Sequence, residues 1–419
     1  MERHLKRLPE DMRSLICRAG DVSRRTGDKA FLVGGFVRDL VLGVRDYDLD
    51  IAIEGDGIGF ASDFAGTGRL ITHKRFGTAT VVLDDHKVDF ASTRKETYPQ
   101  PAALPVVSPG LLRDDLFRRD FTINTLAVGL SGGSFGELID LFGGKEDIGA
   151  GIIRVLHDRS FIDDPTRILR AVRFEQRYGF RIEPHTLRLL RGAVKEGMLL
   201  RVQPQRLRDE LLLMLKEEKP VRALSRLNEL AGFDFLSPGI RWRPALFARI
   251  SETAERFREH CRPRRHLEEW VMYLAALFDG LTVAQAQAVC LRYGLGKSER
   301  TRVLEYLRVR KHVTRALSKR VVARSGLFGL LEPLPYEVIL LIKAESGPVV
   351  GRRIEEFFSD CHGVCVAVSG HDLKQMGIEP GPEYQRIFKR LLEAKLNGRI
   401  STKSEEMELI GRMRKKGSP

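Results

Sequence analysis

Near residue 155 this chain changes texture, and no other feature limits its architecture as much. From residue 31 to about 150, short apolar runs are broken by glycine and aspartate, the pattern of brief strands separated by turns. Strands are expected at 30–33, 48–53, 70–74, 78–83 and 87–91, with a short helix over FVRDLVLG entered through Gly34-Gly35. Ahead of them, Leu5, Leu8, Met12, Leu15, Ile16 and Val22 fall on a helical period, so residues 1–30 read as one amphipathic helix ended by Gly27-Asp28. Pro99, Pro101, Pro105 and Pro109 predict an extended, mobile loop over 98–109, and DLFGG at 140–144 a closing turn. Beyond 155, apolar residues recur at three- and four-residue spacing over 163–178, 185–196, 204–216, 219–231, 244–258, 265–279, 282–293, 297–312 and 335–345. Gly347-Pro348 interrupts the pattern around 346–351, and 369–416 reads as short helices around a GIEPGP turn.

The expected fold class is therefore an α+β head, a small mixed sheet with helices, followed by an all-α C-terminal body and tail. We divide it into a head at 1–153, a helical neck at 154–230, a body at 231–346 and a tail at 347–419.

Charge follows the same division. Residues 1–150 carry 20 Lys and Arg against 23 Asp and Glu, whereas 151–419 carry 50 against 33, a net +17. An acidic front and a basic back suit a chemistry module followed by one that holds a polyanion. No run of about 18 uncharged apolar residues occurs, so no membrane span is expected. The N-terminus lacks the apolar block of a secretory signal. Five cysteines form neither an even framework nor a CxxC pair, which fits a reducing, cytoplasmic setting.

The chemistry concentrates in three places. In DYDLDIAI, Asp48 and Asp50 are two apart on a strand, so both carboxylates project from one face. Like charges held together repel, and a divalent cation resolves the conflict; Mg²⁺ with oxygen ligands suits it best. Two ions bridged in this way activate a hydroxyl and stabilise a leaving pyrophosphate. Upstream, Gly34-Gly35 lets backbone N–H groups approach phosphates at a helix N-terminus, with Arg38 one turn in and facing a triphosphate. In RRDFTIN, Arg119 suits a phosphate and Asn124 the sugar or a neighbouring loop. In DDPTRILRAVRF, Asp163 is placed to cap a helix with Pro165 in its first turn, and Arg167, Arg170 and Arg173 share a flank. A carboxylate and a guanidinium there read base edges: the exocyclic amines of C and A find an acceptor, while G and U leave it unpaired.

These blocks, VGGFVRDLVLGVRDYDLDIAIEGD, LRDDLFRRDFTINTLAV, FIDDPTRILRAVRFEQRYGF and, more weakly, LRVQPQRLRDELLLML, occur in order over roughly half the chain. Together they resemble the tRNA nucleotidyltransferase and poly(A) polymerase family, of the bacterial and eukaryotic class, within the polymerase-β-like nucleotidyltransferases. The resemblance implies that Asp48 and Asp50 bind the catalytic metals, that Gly34, Gly35 and Arg38 hold the triphosphate, and that Asp89 of KVDFAS is a third carboxylate that deprotonates the primer hydroxyl. It implies that RRDFTIN discriminates ribose and binds triphosphate, and that Asp164 and Arg167 read the base, with Arg170 and Arg173 contacting nucleotide. Asp163 replaces the Glu usual in the family, which shortens its reach.

The implied activity is addition of nucleotides from CTP and ATP to the 3′ end of a tRNA, as CCA or terminal A, with Mg²⁺ as cofactor. Residues 93–115 are intact, unlike the shortened segment of CC-adding members, so CC-only addition is disfavoured. Poly(A) polymerase is the alternative, and a non-catalytic RNA-binding protein with a degenerate transferase domain is a second one. An antibiotic nucleotidyltransferase would lack the DDPTRILRAVRF helix and the long basic body. No HxxxHD arrangement occurs, so the phosphohydrolase module of some relatives is not expected. Arg264, Arg265, Arg352, Arg353, Lys389 and Arg390 are the expected RNA contacts, gripping the acceptor arm through its phosphates.

Overall fold

The computed structural model describes residues 2–44, 48–74, 77–83, 86–260 and 266–417. The chain forms two compact units, 1–232 and 233–419, each described here by itself.

In the first unit, α1 (Glu2–Leu5) and α2 (Glu10–Thr26) replace the single expected helix. Pro9 separates them: it has no N–H to give and disfavours helical geometry at Leu8. The unit then runs β1 (Lys29–Val33), α3 (Gly35–Leu42), β2 (Leu49–Glu54), α4 (Gly57–Ala65), β3 (Arg69–His73), β4 (Thr78–Leu83) and β5 (His86–Ser92). It continues with β6 (Arg94–Thr97), β7 (Val106–Pro109), α5 (Leu112–Phe117), β8 (Leu126–Gly129), β9 (Leu138–Asp140) and α6 (Gly144–Ala150). Then come β10 (Ile152–Ile153), α7 (Ser160–Asp163), α8 (Thr166–Tyr178), β11 (Arg181–Ile182), α9 (Pro184–Lys195), α10 (Pro204–Leu215) and α11 (Pro220–Leu230).

Seven strands form one mixed sheet in the order β3-β4-β5-β2-β1-β8-β9, in which only the central β2–β5 pair is parallel. On one face, Phe31, Val33, Ala52 and Ala127 pack with Leu112 and Leu116 of α5. Phe60 and Phe64 of α4 pack against Phe90 of β5, with centroids 5.8 and 4.9 Å apart. Rings of this size remove a large apolar area from water, and they hold β5 rigidly beside β2. The parallel register puts Asp50 opposite Asp89 at the centre of the sheet.

The proline-rich segment is not the mobile loop its composition predicts. Residues 106–109 pair antiparallel with 94–97 as a separate hairpin, Arg94 opposite Pro109. Pro109 stands at the end of the ladder, where its missing N–H costs no bond. Between the strands, buried Ala102 adopts φ +61° and donates its N–H to the Ile162 carbonyl at 3.0 Å, which ties the loop to α7.

The second unit is helical throughout its described residues: α12 (Pro244–His260), α13 (Glu269–Leu277), α14 (Val283–Arg292), α15 (Lys297–Leu317), α16 (Arg324–Leu331), α17 (Tyr336–Glu345), α18 (Pro348–Glu356), α19 (Gly370–Gln375), α20 (Pro382–Leu396) and α21 (Lys403–Gly417). Here α18 starts at Pro348, so the break after α17 is only Ser346-Gly347; proline fits the first helical position because its N–H would be unpaired there anyway. Val368, Leu373, Ile378, Ile387, Leu391 and Ile410 give the last helices their own apolar cluster. Among the described residues no single helix is long and apolar enough to cross a membrane.

Candidate active site

A cleft of about 470 Å³ in the first unit gathers residues from all three motif blocks. Gly35 and Arg38 come from α3, Asp50 from β2, Arg118, Arg119, Asp120 and Asn124 from the segment after α5, and Asp164, Arg167, Arg170 and Phe174 from α8 and its entry. The hairpin adds Arg94, Glu96, Tyr98 and Pro105, and α10 adds Arg206. Seven guanidinium groups therefore meet four carboxylates, a cationic excess suited to a triphosphate.

The glycine turn has the left-handed backbone that glycine permits. Gly34 has φ +69°, a region that side chains disfavour, and a Cβ there would collide with the Arg119 guanidinium, which lies across the turn. Arg119 is held by Asp115 at 3.0 Å, yet its Nε is buried without a hydrogen-bond partner among the described residues. Arg38, 6 % exposed, bonds Asp39 through two nitrogens at 2.8 and 2.9 Å and donates to the Asn124 side-chain oxygen at 2.5 Å. Its guanidinium also lies 5.2 and 4.9 Å from the ring centroids of Phe174 and Tyr178. Asn124 donates in turn to Asp120 at 2.8 Å.

Burial pushes the Asp50 carboxyl up to about 6; the Arg119 charge opposes this, while the negative charges of Asp89 and Asp48 add to it. Asp48 is exposed just ahead of β2. Asp89 accepts from Thr80 at 2.5 Å and from the Lys87 ammonium at 2.6 Å. Among the described residues no three acidic, histidine or cysteine side chains already surround a metal position. Nonetheless, the donor set fits a hard divalent cation: carboxylates only, one of them driven toward its neutral form by burial and then by the charges of its acidic neighbours, with a lysine beside another.

Around the base-reading block the structure corrects the sequence reading in two places. Asp164, not Asp163, caps α8: its carboxylate accepts from the Thr166 N–H at 3.1 Å and hydroxyl at 2.6 Å, and from Arg206 at 2.8 Å. Asp163 ends α7 and pairs with Arg159 at 3.3 Å. Arg173 does not line the cleft. Its guanidinium faces Glu210 and Glu217 at 3.3 and 3.4 Å, because three-residue spacing on a 3.6-residue helix rotates the third arginine away from the first. Arg167 is only 4 % exposed and donates to the Ser160 hydroxyl at 2.6 Å and the Arg118 carbonyl at 2.7 Å. Arg170 bridges Asp120 and Glu210 at 2.7 and 2.9 Å. Burial raises the Asp120 carboxyl, but Arg170, Asn124 and Arg167 together outweigh it and bring the group to about 2. Burial lifts the Tyr98 hydroxyl to about 12, so it stays a donor. Arg206, Arg94, Glu96 and Tyr98 escaped the sequence reading; the QPQRLRDE stretch carried the only local hint, for Arg206.

Of the expected RNA contacts, Arg264 and Arg265 lie outside the described residues. Lys389 and Arg390 are exposed on α20 and line a groove with Arg386 and Arg414. Arg352 is exposed on α18. Arg353 instead closes the end of α15, donating to the carbonyls of Leu317 and Arg320.

Known protein families match two parts of the chain. The Poly A polymerase head domain matches residues 30–154, and a probable RNA- and SrmB-binding site of polymerase A matches 179–242. An A-adding tRNA nucleotidyltransferase of Halalkalibacterium halodurans is 30 % identical across 96 % of this chain and 92 % of its own length. The chain belongs to the tRNA nucleotidyltransferase family. Within that family, an A-adding tRNA nucleotidyltransferase of Geobacter sulfurreducens is 39 % identical over 99 % of this chain, which spans about half (48 %) of that relative. The Thermotoga maritima CCA-adding enzyme complexed with tRNA superimposes with a TM-score of 0.79 at 30 % identity, covering 98 % of both chains. The α+β head and helical C-terminal part expected from the sequence are the family's fold.

Proposed function

We propose that this protein transfers AMP from ATP to the 3′ end of a tRNA that already ends in CC, releasing pyrophosphate. The observation that carries this reading is a single cleft in which the glycine turn, the arginine cluster, Asp50 and the Asp164–Arg167 pair converge. The names of the two A-adding relatives favour terminal A over complete CCA. Complete CCA addition is the second reading, favoured by the likeness to the Thermotoga enzyme over nearly the whole chain.

In this reading, N–H groups of the Gly34–Gly35 turn with Arg38 and Arg119 hold the triphosphate, and the unpartnered Nε of Arg119 finds an oxygen. Asp48 and Asp50 would hold Mg²⁺, with Asp89 beside them; bound there, the metal supplies charge for the departing pyrophosphate and lowers the hydroxyl pKa. Asp89 orients the primer 3′-hydroxyl and takes its proton. The base is read by groups with bonding capacity to spare. Asp164 has a lone pair left on Oδ2, and Arg167 uses two of its five N–H groups within the protein, leaving three. Adenine gives its amine to Asp164 and accepts at its ring nitrogen from Arg167. A base without that amine leaves this last acceptor position of Asp164 unsatisfied, a penalty of ~1–3 kcal/mol.

The deciding assay is extension of tRNAs ending before the first C, after CC, or at an unrelated 3′ end, each with one nucleotide supplied. We expect ATP addition to the CC-ended tRNA and no CTP incorporation. Incorporation of CTP into the truncated tRNA would make complete CCA addition the correct reading, and long tails on unrelated RNA would make it a poly(A) polymerase.

A further inference from the structure

Strand β6 separates the cleft described above from a second one of about 440 Å³ in the same unit. Arg94 lines only the first and Lys95 and Thr97 only the second, as the alternation of a strand requires. Glu96, Tyr98, Arg118 and Arg167 line both, so one layer of side chains divides them. The wall of the second cleft carries Phe117, the last residue of α5, which is 46 % exposed. Its ring centroid lies 5.6 Å from that of His157, which also lines the cleft, and 5.8 Å from that of Phe142. Burial and the nearby Arg167 charge hold the imidazole below its usual pKa, which favours the neutral ring.

The carboxylates in this cleft are already engaged. Glu96 accepts from Arg94, Arg118 and Tyr98, Asp114 from the Leu111 N–H, and Asp163 from Arg159. What remains for a ligand is the exposed Phe117 ring, with His157 tilted 34° against it and exposed Lys95 and Arg159 beside the pair. An aromatic face flanked by cations is the arrangement that holds single-stranded nucleotides without regard to sequence. A small metabolite would require directed polar groups free to bond, and the carboxylates here are occupied.

We propose that the second cleft holds the unpaired nucleotide immediately 5′ to the acceptor's last residue, its base stacked on Phe117 and His157 and its phosphate against Arg159. The proposal rests on the transferase reading of the first cleft, because only then does a nucleotide-binding cleft lie one side-chain layer away. Phe117 and His157 are positioning residues: they fix the strand whose terminal hydroxyl reacts.

The test uses the full chain and a CC-ended RNA with 2-aminopurine at the penultimate position. Binding to the wild type should quench the fluorophore; Phe117→Ala should abolish the quench and Phe117→Trp restore it. In extension assays Phe117→Ala should raise KM for RNA about tenfold, in the range that stacking on one base supports, while KM for ATP stays constant. An abasic penultimate residue should raise the wild-type KM by the same factor and add nothing in the variant. His157→Ala should act in the same direction, and the abasic substrate on wild-type protein keeps the test valid if Phe117→Ala does not fold. Undiminished quenching in Phe117→Ala, or abasic and variant effects that multiply, would overturn the proposal. A wild-type protein that extends no RNA would sink the transferase reading instead.

Discussion

Asp50→Asn should make the metal-free protein more stable while removing its activity. The carboxyl of Asp50 rises from 3.8 to about 6 in the fold, driven by burial and then by the charges of Asp89 and Asp48. A folded-state pKa above the unfolded one means that the native state prefers the protonated form. The associated stability is fully present below about pH 3.8 and is lost as pH rises through about 6. At pH 7 the ionised form therefore costs up to about 3 kcal/mol, and partial solvent access of the group reduces the expected gain for Asn to about 1–2 kcal/mol. Trp242 and Trp270, the only tryptophans, both lie in the second unit, so their fluorescence does not report on the sheet. Amide hydrogen exchange of β2 and β5 in EDTA does, and comparing variant with wild type at one pH cancels the intrinsic rates. Protection in the variant should rise roughly 5- to 30-fold at pH 7, and the gain in free energy should fall to about half at pH 5. A gain equal at both pH values would refute the electrostatic origin. Lower protection at pH 7 would refute the repulsion on which the cation assignment depends.

Three further perturbations separate local roles. Gly34→Ala forces a side chain into φ +69° and against Arg119, so KM for ATP should rise at least tenfold with the fold retained; an unchanged KM would mean that the turn does not hold the triphosphate. Arg206→Ala removes the partner of Asp164, so discrimination of ATP against UTP should fall about tenfold, with Arg206→Lys intermediate; intact discrimination in competition assays would show that Asp164 needs no such support. Arg353→Ala should lower stability of the second unit by about 1 kcal/mol, read by tryptophan fluorescence in urea, without changing the salt dependence of RNA binding. Arg390→Ala should do the reverse and reduce the salt slope by about one; identical behaviour of the two variants would contradict their different environments.

The parts of the site legible in the sequence were those in which local geometry carries the chemistry. The place of Asp50 on a central strand and the positive φ of Gly34 follow from local patterns, whereas Asp48, expected on the same strand, stands one residue ahead of it. Where tertiary contacts decide, local reasoning failed in instructive ways. Asp163 and Asp164 are equally good caps by composition; the backbone direction at the entry to α8, set by Pro165, gives the role to the second. Arg173 shares the spacing of Arg167 and Arg170, but acids on α10 and after it draw it away from the cleft. The β6–β7 hairpin was hidden because four prolines suggest an unpaired segment, whereas the ladder needs N–H groups only where the prolines are not. Arg353 looked like half of a basic pair for RNA, and only the end of α15 beside it reveals the Leu317 carbonyl at the helix terminus and the Arg320 carbonyl just beyond, both of which it bonds.

On the proposed function, the arginines of the cleft account for base reading with no template strand. Each is anchored before any nucleotide arrives: Arg38 by Asp39, Arg94 by Glu96, Arg118 and Arg119 by Asp115, Arg167 by Ser160, Arg170 by Asp120 and Arg206 by Asp164. A free arginine would swing to satisfy whatever base entered, and its adaptability would erase discrimination. Fixed by partners, its remaining N–H groups point in set directions, and a mismatched base meets donors and acceptors that cannot move to meet it. Seven such cations against four carboxylates leave a positive excess in the empty cleft. These cations repel one another within the cleft, and the same charges attract a polyanionic triphosphate into it. Selectivity and triphosphate affinity therefore share one origin, and a substitution that frees an anchor, such as Asp115→Asn beneath Arg118 and Arg119, should weaken both together rather than either alone.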